Sequence, residues 1–203
     1  MGRAPGTFVP LKGGGAAVAL DEVEISILRS LVVQLLELIG PGPGGDEPDA
    51  DPLAALFAEG PTEPPSDPAL ARLFPDAYGG PSAEDEGVDP AELKERSSEF
   101  RRFTENDLRT RKREDALAVV QSLNALTPAG DGGAVLELTG ELPLRWLGSL
   151  NDLRLTIGAR LEITEDEQSE QLFRLPDEDP RKPLVMAYLW LGGLQETLIE
   201  TLA

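Results

Sequence analysis

Within residues 146–161, WLGSLNDLRLTIGARL, four polar side chains interrupt what otherwise reads as a leucine-rich buried helix: Asn151, Asp152, Arg154 and Arg160. A buried polar group without a partner costs about 1–3 kcal/mol and an unpaired charge more, so these four need bonded partners. Two arrangements satisfy that need. One is a structural network that fixes the register of packed helices. The other is the floor of a small-molecule or peptide site, in which Asp152 and Glu196 would be the carboxylates available for acid–base chemistry. The C-terminal segment carries the complement, with Gln195 on its apolar stripe, Glu196 beside it and Gly192-Gly193 permitting close approach. A network of Asn151, Asp152, Arg154, Arg160, Gln195 and Glu196 is therefore expected. Trp146 and Trp190 would be core residues or the aromatic walls of such a site.

A second constellation is basic. Lys94 to Arg113 concentrates positive charge in Arg101, Arg102, Arg109, Arg111, Lys112 and Arg113, offset by Glu95, Glu99, Glu105 and Asp107. It reads either as a contact face for nucleic acid or an acidic partner, or as a solvated helix face pairing with the chain's own acidic loops. The overall balance favours the second, since 37 acids against 18 bases give a net charge of -19. Phosphate binding depends on clustered Lys and Arg, and no compact turn with a recognition helix follows. Nucleic acid is thus not the expected partner.

Other chemistries are excluded more firmly. The chain has no histidine, which removes the commonest general base and metal ligand, and no cysteine, which removes thiolate nucleophiles, disulfides and thiolate-bound zinc. The acids cluster in loops and at helix starts without the spaced oxygen ligands of a calcium loop. GPGPGG and GDGG lack the lysine and helix start of a phosphate loop and read as turns. Neither a metal nor a cofactor is expected. No apolar run is long enough for a membrane span and the N-terminus lacks a signal core, so the expected location is the cytoplasm.

These residues must be positioned by helices. TFVPL at 7–11 and residues 16–20 read as a hairpin around Gly13-Gly14-Gly15, with Pro10 restricting the first strand to an edge. Asp21 with Glu24 forms a capping box before Ile25, Leu28, Leu31, Val32, Leu35, Leu36 and Ile39 at helical spacing, and Gly40-Pro41 ends that helix. Residues 41–92 hold 11 of the 18 prolines and 13 acids against the single base Arg72. This acidic insertion should contain two helical turns, at 51–59 and 67–78, each opened by Asp-Pro, and a disordered piece at 79–88. Asp89-Pro90 starts a helical stretch running to about Leu126. Thr104-Glu105-Asn106-Asp107 resembles a capping box there, which predicts two helices or a kink, and Leu108, Leu117, Val120, Leu123 and Leu126 form an apolar stripe. A strand at Ala134–Leu138 should join the hairpin. Glu141-Leu142-Pro143 opens the helix of the first constellation, where Trp146, Leu150, Leu153, Ile157 and Leu161 share one face, and Pro183 to Leu202 forms the last.

RLFPDAY, WLGSLNDLRLTIGARLEIT and YLWLGGLQETL together resemble an actinobacterial family of uncharacterised proteins, a domain of unknown function. The resemblance implies an intracellular protein without assigned activity. It also implies genes neighbouring an adaptor for regulated proteolysis and a metallopeptidase with a sulfur-carrier partner, hence a role in protein turnover or sulfur metabolism. Some members are labelled transcriptional regulators, a label that the acidic charge and missing recognition helix oppose here. The expected protein is one mainly α (α+β) domain over residues 1–203: a helical bundle with a small antiparallel sheet from the N-terminal hairpin and one central strand. Its expected role is non-enzymatic interaction or regulation through a protein partner. The alternatives are a nucleic-acid-binding regulator using 94–113, and a carboxylate enzyme or ligand-binding protein centred on Asp152 and Glu196.

Overall fold

A computed structural model of the chain describes residues 6–41, 59–79, 89–127, 132–163, 172 and 174–203. The helical turn expected over 51–59 and the disordered piece over 79–88 fall, but for their end residues, outside them. The described residues form β1 (Val9–Pro10), β2 (Ala16–Leu20), α1 (Glu22–Ile39), α2 (Pro68–Leu73), α3 (Pro90–Asn124), β3 (Ala134–Leu138), α4 (Leu142–Arg160) and α5 (Lys182–Leu202). The architecture is mainly helical with a small antiparallel sheet of order β1-β2-β3.

The sheet follows the expected pairing. Pro10 lies in β1, at the edge, where its missing N–H interrupts no ladder. Residues 16–20 of β2 pair with 138–134 of β3. The hairpin can seat this closely against β3 because Gly15 has φ of +99°, and a Cβ there would lie 2.2 Å from the Leu138 carbonyl oxygen. Only glycine satisfies both conditions.

Local signals set the helix starts. The Asp21 carboxylate accepts from the Glu24 amide at 2.7 Å while Glu24 accepts from the Asp21 amide at 2.8 Å, closing the expected box. Asp67 and Asp89 cap α2 and α3 ahead of their prolines. The expected break at Thr104 does not occur, and α3 runs uninterrupted for 35 residues. Thr104 instead donates its hydroxyl to the Phe100 carbonyl one turn back, at 2.8 Å, so it does not cap a new helix. The expected stripe on α3 is also corrected. Leu108 and Leu117 are exposed, and the buried row is Ser97, Arg101, Glu105, Ala116, Ala118, Val119 and Leu123. The inward face of the N-terminal half is therefore polar.

Helix α4 lies at the centre, packed against α1, α2, α3 and α5. Its buried face holds Trp146, Leu150, Leu153 and Ile157, as their spacing predicts. Trp146 is fully buried, meeting Phe8 edge-on at 6.3 Å and donating its indole N–H to Ser122 at 3.4 Å. It is a core residue. Leu28, Val32 and Leu35 of α1, Leu73 and Phe74 beside α2, and Leu191, Leu194 and Leu198 of α5 complete the core. Each such large apolar side chain adds about 1.5–3 kcal/mol by leaving water.

Of the two glycines in α5 expected to permit close packing, one does so. A Cβ on Gly192 would meet the Arg154 guanidinium at 3.5–3.7 Å, whereas Gly193 is exposed with nothing within 4 Å. Gly193→Ala should therefore stabilise the protein by about 0.5–1 kcal/mol, the helix-interior difference between the two residues. Urea unfolding checks this, and a destabilised variant would mean that Gly193 has a packing role.

Candidate functional site

The polar residues of α4 divide between two seams. On the α3 side, Asp152 is 3% exposed and accepts from Lys112 at 2.6 Å. Burial pushes its carboxyl above the ordinary carboxylate range, against the opposing pull of Lys112 and a hydrogen bond from Asn151. Thr156, one turn on, donates to the Asp152 carbonyl at 2.8 Å. This is a closed ion pair between two helices, with the carboxylate turned away from solvent.

On the α5 side, Arg154 donates through Nη1 to the Gln195 side-chain oxygen at 2.6 Å and stacks over Tyr188, 5.0 Å from the ring centroid. Its Nη2 reaches the Tyr188 hydroxyl only at 3.5 Å, and its Nε is buried without an acceptor. Beside this guanidinium opens a cleft of about 170 Å³, whose polar lining is Arg72, Asn151, Arg154 and Tyr188 over the apolar Leu155 and Ile163. Arg72, from α2, donates to the Ile163 carbonyl at 3.3 Å. Among the described residues neither arginine pairs with a carboxylate.

The six residues expected to form one network are thus not brought together. Arg154 meets Gln195, Asp152 meets Lys112 and the amide of the otherwise exposed Asn151, and Arg160 and Glu196 are exposed. The physical reason is rotation: on a helix, residues two apart point about 200° from one another, so Asp152 and Arg154 cannot share a neighbour. Trp190 is half-buried, its indole beside Gly6. Sequence reasoning missed Arg72, Tyr188 and the Lys112 partner of Asp152. Arg72 left one signal, as the lone base in an acidic stretch.

The basic run turns inward. Arg101, 4% exposed, donates to Glu105, to Asp76 at 2.9 Å and to the Phe74 carbonyl at 3.0 Å. Arg109 donates to the other Glu105 oxygen at 2.8 Å and to the Ile39 carbonyl, and lies over the Phe74 ring at 4.4 Å. Arg113 donates to the Gly40 carbonyl at 3.2 Å. Helix α1 has no basic residue in its last turn, so α3 supplies from outside the cations that its C-terminal carbonyls favour. Arg111 is exposed, and Arg102 stacks on Phe103 with Glu59 at 3.8 Å. The solvated face expected of this run is corrected in part: Arg101, Arg109, Lys112 and Arg113 turn inward to acids and carbonyls, whereas Lys94, Arg96 and Arg102 face outward beside Glu63, Glu92 and Glu59.

A third feature is an open cleft between α3 and α4 that holds Arg111, Glu114, Asp115, Glu141 and Arg145. Burial raises the Asp115 carboxyl, opposed by Arg145 and Arg111. Among the described residues no group of acids is arranged to hold a metal ion. Among the same residues no helix is long and apolar enough to cross a membrane.

A central helix that pairs Asp152 with Lys112 of α3 and rests Arg154 on the neutral Gln195 and Tyr188 of α5 defines a mainly helical domain with a small antiparallel sheet. The chain belongs to the family described as a domain of unknown function, DUF2017, whose model matches residues 6–202. It is 33% identical to an AosR protein of Mycobacterium leprae, over 98% of this chain and 91% of the relative. It is 28% identical to the oxidative stress regulator AosR of Mycobacterium tuberculosis and of Mycobacterium bovis, over 88% of this chain and 78% of each relative. No solved structure matches.

Proposed function

We propose that this protein is a non-enzymatic regulator that acts in the cytoplasm by binding a protein partner, within the response to oxidative stress for which its relatives are named. The inward commitment of the basic run carries this reading. Arg101, Arg109, Lys112 and Arg113 are spent on Glu105, Asp76, Asp152 and the end of α1, and the outward Lys94, Arg96 and Arg102 each stand within 4 Å of an acid, which works against binding a nucleic acid backbone. The carboxylate-enzyme alternative loses support for a similar reason, because Asp152 is closed in an ion pair and Glu196 stands apart on the surface. The sequence holds no thiol, so cysteine oxidation within it is not the signal.

Two measurements test this. Gel-shift titration at low salt, where electrostatic attraction is strongest, should give no complex with DNA or RNA. A complex that weakens steeply with added salt would replace this reading with the nucleic-acid-binding one. Affinity capture of the full chain from its own cells should return a stoichiometric protein partner. A protease or protease adaptor among the captured proteins would supply the link to protein turnover.

A further inference from the structure

The cleft beside Arg154 has an electrostatic peculiarity that a partner-binding role does not account for. The chain carries 37 acids against 18 bases, and about half of its described cations have a carboxylate within 4 Å. Arg96, Arg101, Arg109, Arg145, Arg181 and Lys112 each have one within 4 Å. Among the described residues Arg72 and Arg154 have none, they line the same cleft, and no described acid lines it with them.

The groups that hold Arg154 are neutral. The Gln195 carbonyl fixes Nη1, the Tyr188 ring supports the guanidinium face, and glycine at 192 leaves room for the group to lie against α5. Neutral partners set the orientation of a guanidinium and leave its charge unspent, which is the arrangement that favours recognition of an oxyanion. Arg72 reaches in from α2 with one donor on the Ile163 carbonyl and exposed otherwise, while the Tyr188 hydroxyl adds a neutral donor and Asn151 lines the rim. The apolar floor of Leu155 and Ile163 suits a short carbon body. The cleft, about 170 Å³ and open to solvent on one side, has room for a phosphate group or a short dicarboxylate.

We infer that this cleft is a binding site for a compact dianion, a phosphate or a short dicarboxylate, held between Arg72 and Arg154. The site is independent of the protein partner and would make the regulator responsive to a small metabolite.

The test is a titration of the ¹⁵N-labelled full chain, in one arm with inorganic phosphate and in the other with malonate, at ionic strength held constant with chloride. Saturable shifts should appear at Asn151, Arg154 and Tyr188 with at least one probe. The arm that responds more strongly distinguishes a phosphate ligand from a dicarboxylate one. Arg72→Gln, which sacrifices one long surface hydrogen bond, should keep the melting temperature and weaken binding at least about tenfold, as expected for loss of a charged hydrogen-bond donor. Arg154→Gln should abolish saturation, with its melting curve run alongside. No saturable shift in either arm, the same shifts with chloride alone, or undiminished binding by Arg72→Gln would overturn the inference.

Discussion

Glu105→Ala is expected to destabilise the protein by about 3–5 kcal/mol, the range found when one member of a buried ion network is removed. The Glu105 side chain is 3% exposed and accepts from both Arg101 and Arg109. Those two arginines reach different parts of the fold, Arg101 the Phe74 carbonyl and Asp76 after α2, Arg109 the end of α1. Removing the carboxylate leaves Arg101, itself 4% exposed, to a single acid at the surface, and it leaves Arg109 with a carbonyl and an aromatic face. For a domain of this size about 2–4 °C of melting temperature accompanies each kcal/mol, so the melt should fall by roughly 10 °C or more. Glu105→Gln keeps the shape and one good acceptor and should lose less. Thermal unfolding followed by circular dichroism decides the matter. An alanine variant melting with the parent would show that the arginines hold these elements together without their shared carboxylate.

That result also bears on how the sequence is to be read. The helix starts were legible because their causes are local: Asp21 with Glu24, Asp67-Pro68 and Asp89-Pro90 satisfy N-terminal amides within a few residues of themselves. The hydrophobic face of α4 and the sheet were legible for the same reason, since periodicity is a property of one segment. What stood opposite each polar side chain was not. Lys112 and Asp152 are 40 positions apart, and Arg101 and Asp76 are 25 apart. A run of arginines that is dispersed in solvent and one that clamps three helices have the same composition. Thr104 misled in a different way: its hydroxyl can cap a new helix or bond back to the preceding turn, and only the packing of α3 along its whole length selects the second. The dianion cleft lay beyond sequence reading because it joins Arg72 of the proline-rich stretch to α4 and α5.

The Asp152–Lys112 pair yields the second large effect, and its sign can be worked out. Lys112→Met leaves a carboxylate that is 4% exposed without its cation and should cost about 3 kcal/mol or more at neutral pH. The loss should shrink on acidification. Burial already holds the Asp152 carboxyl above its ordinary range, with Lys112 acting in the opposite direction, so removing Lys112 drives it higher still. A carboxyl raised in the folded state keeps a proton that the unfolded chain, titrating near about 3.9, has released. Stability is then greatest below that unfolded value and falls as pH rises through the folded one. The parent follows the same sign more weakly, because Lys112 offsets part of the burial cost. Urea unfolding of parent and variant across this acid-to-neutral window should show their curves converging at the acid end. A deficit independent of pH would mean that the introduced methionine disturbs packing and that no uncompensated charge was left. The double variant Lys112→Met/Asp152→Leu separates these cases further: with both charges gone and apolar groups of similar bulk between α3 and α4, stability should return close to that of the parent or exceed it. Such a recovery would mean that the pair serves to align the two helices and adds little net stability, whereas a double variant as unstable as the single one would assign the loss to the methionine side chain itself.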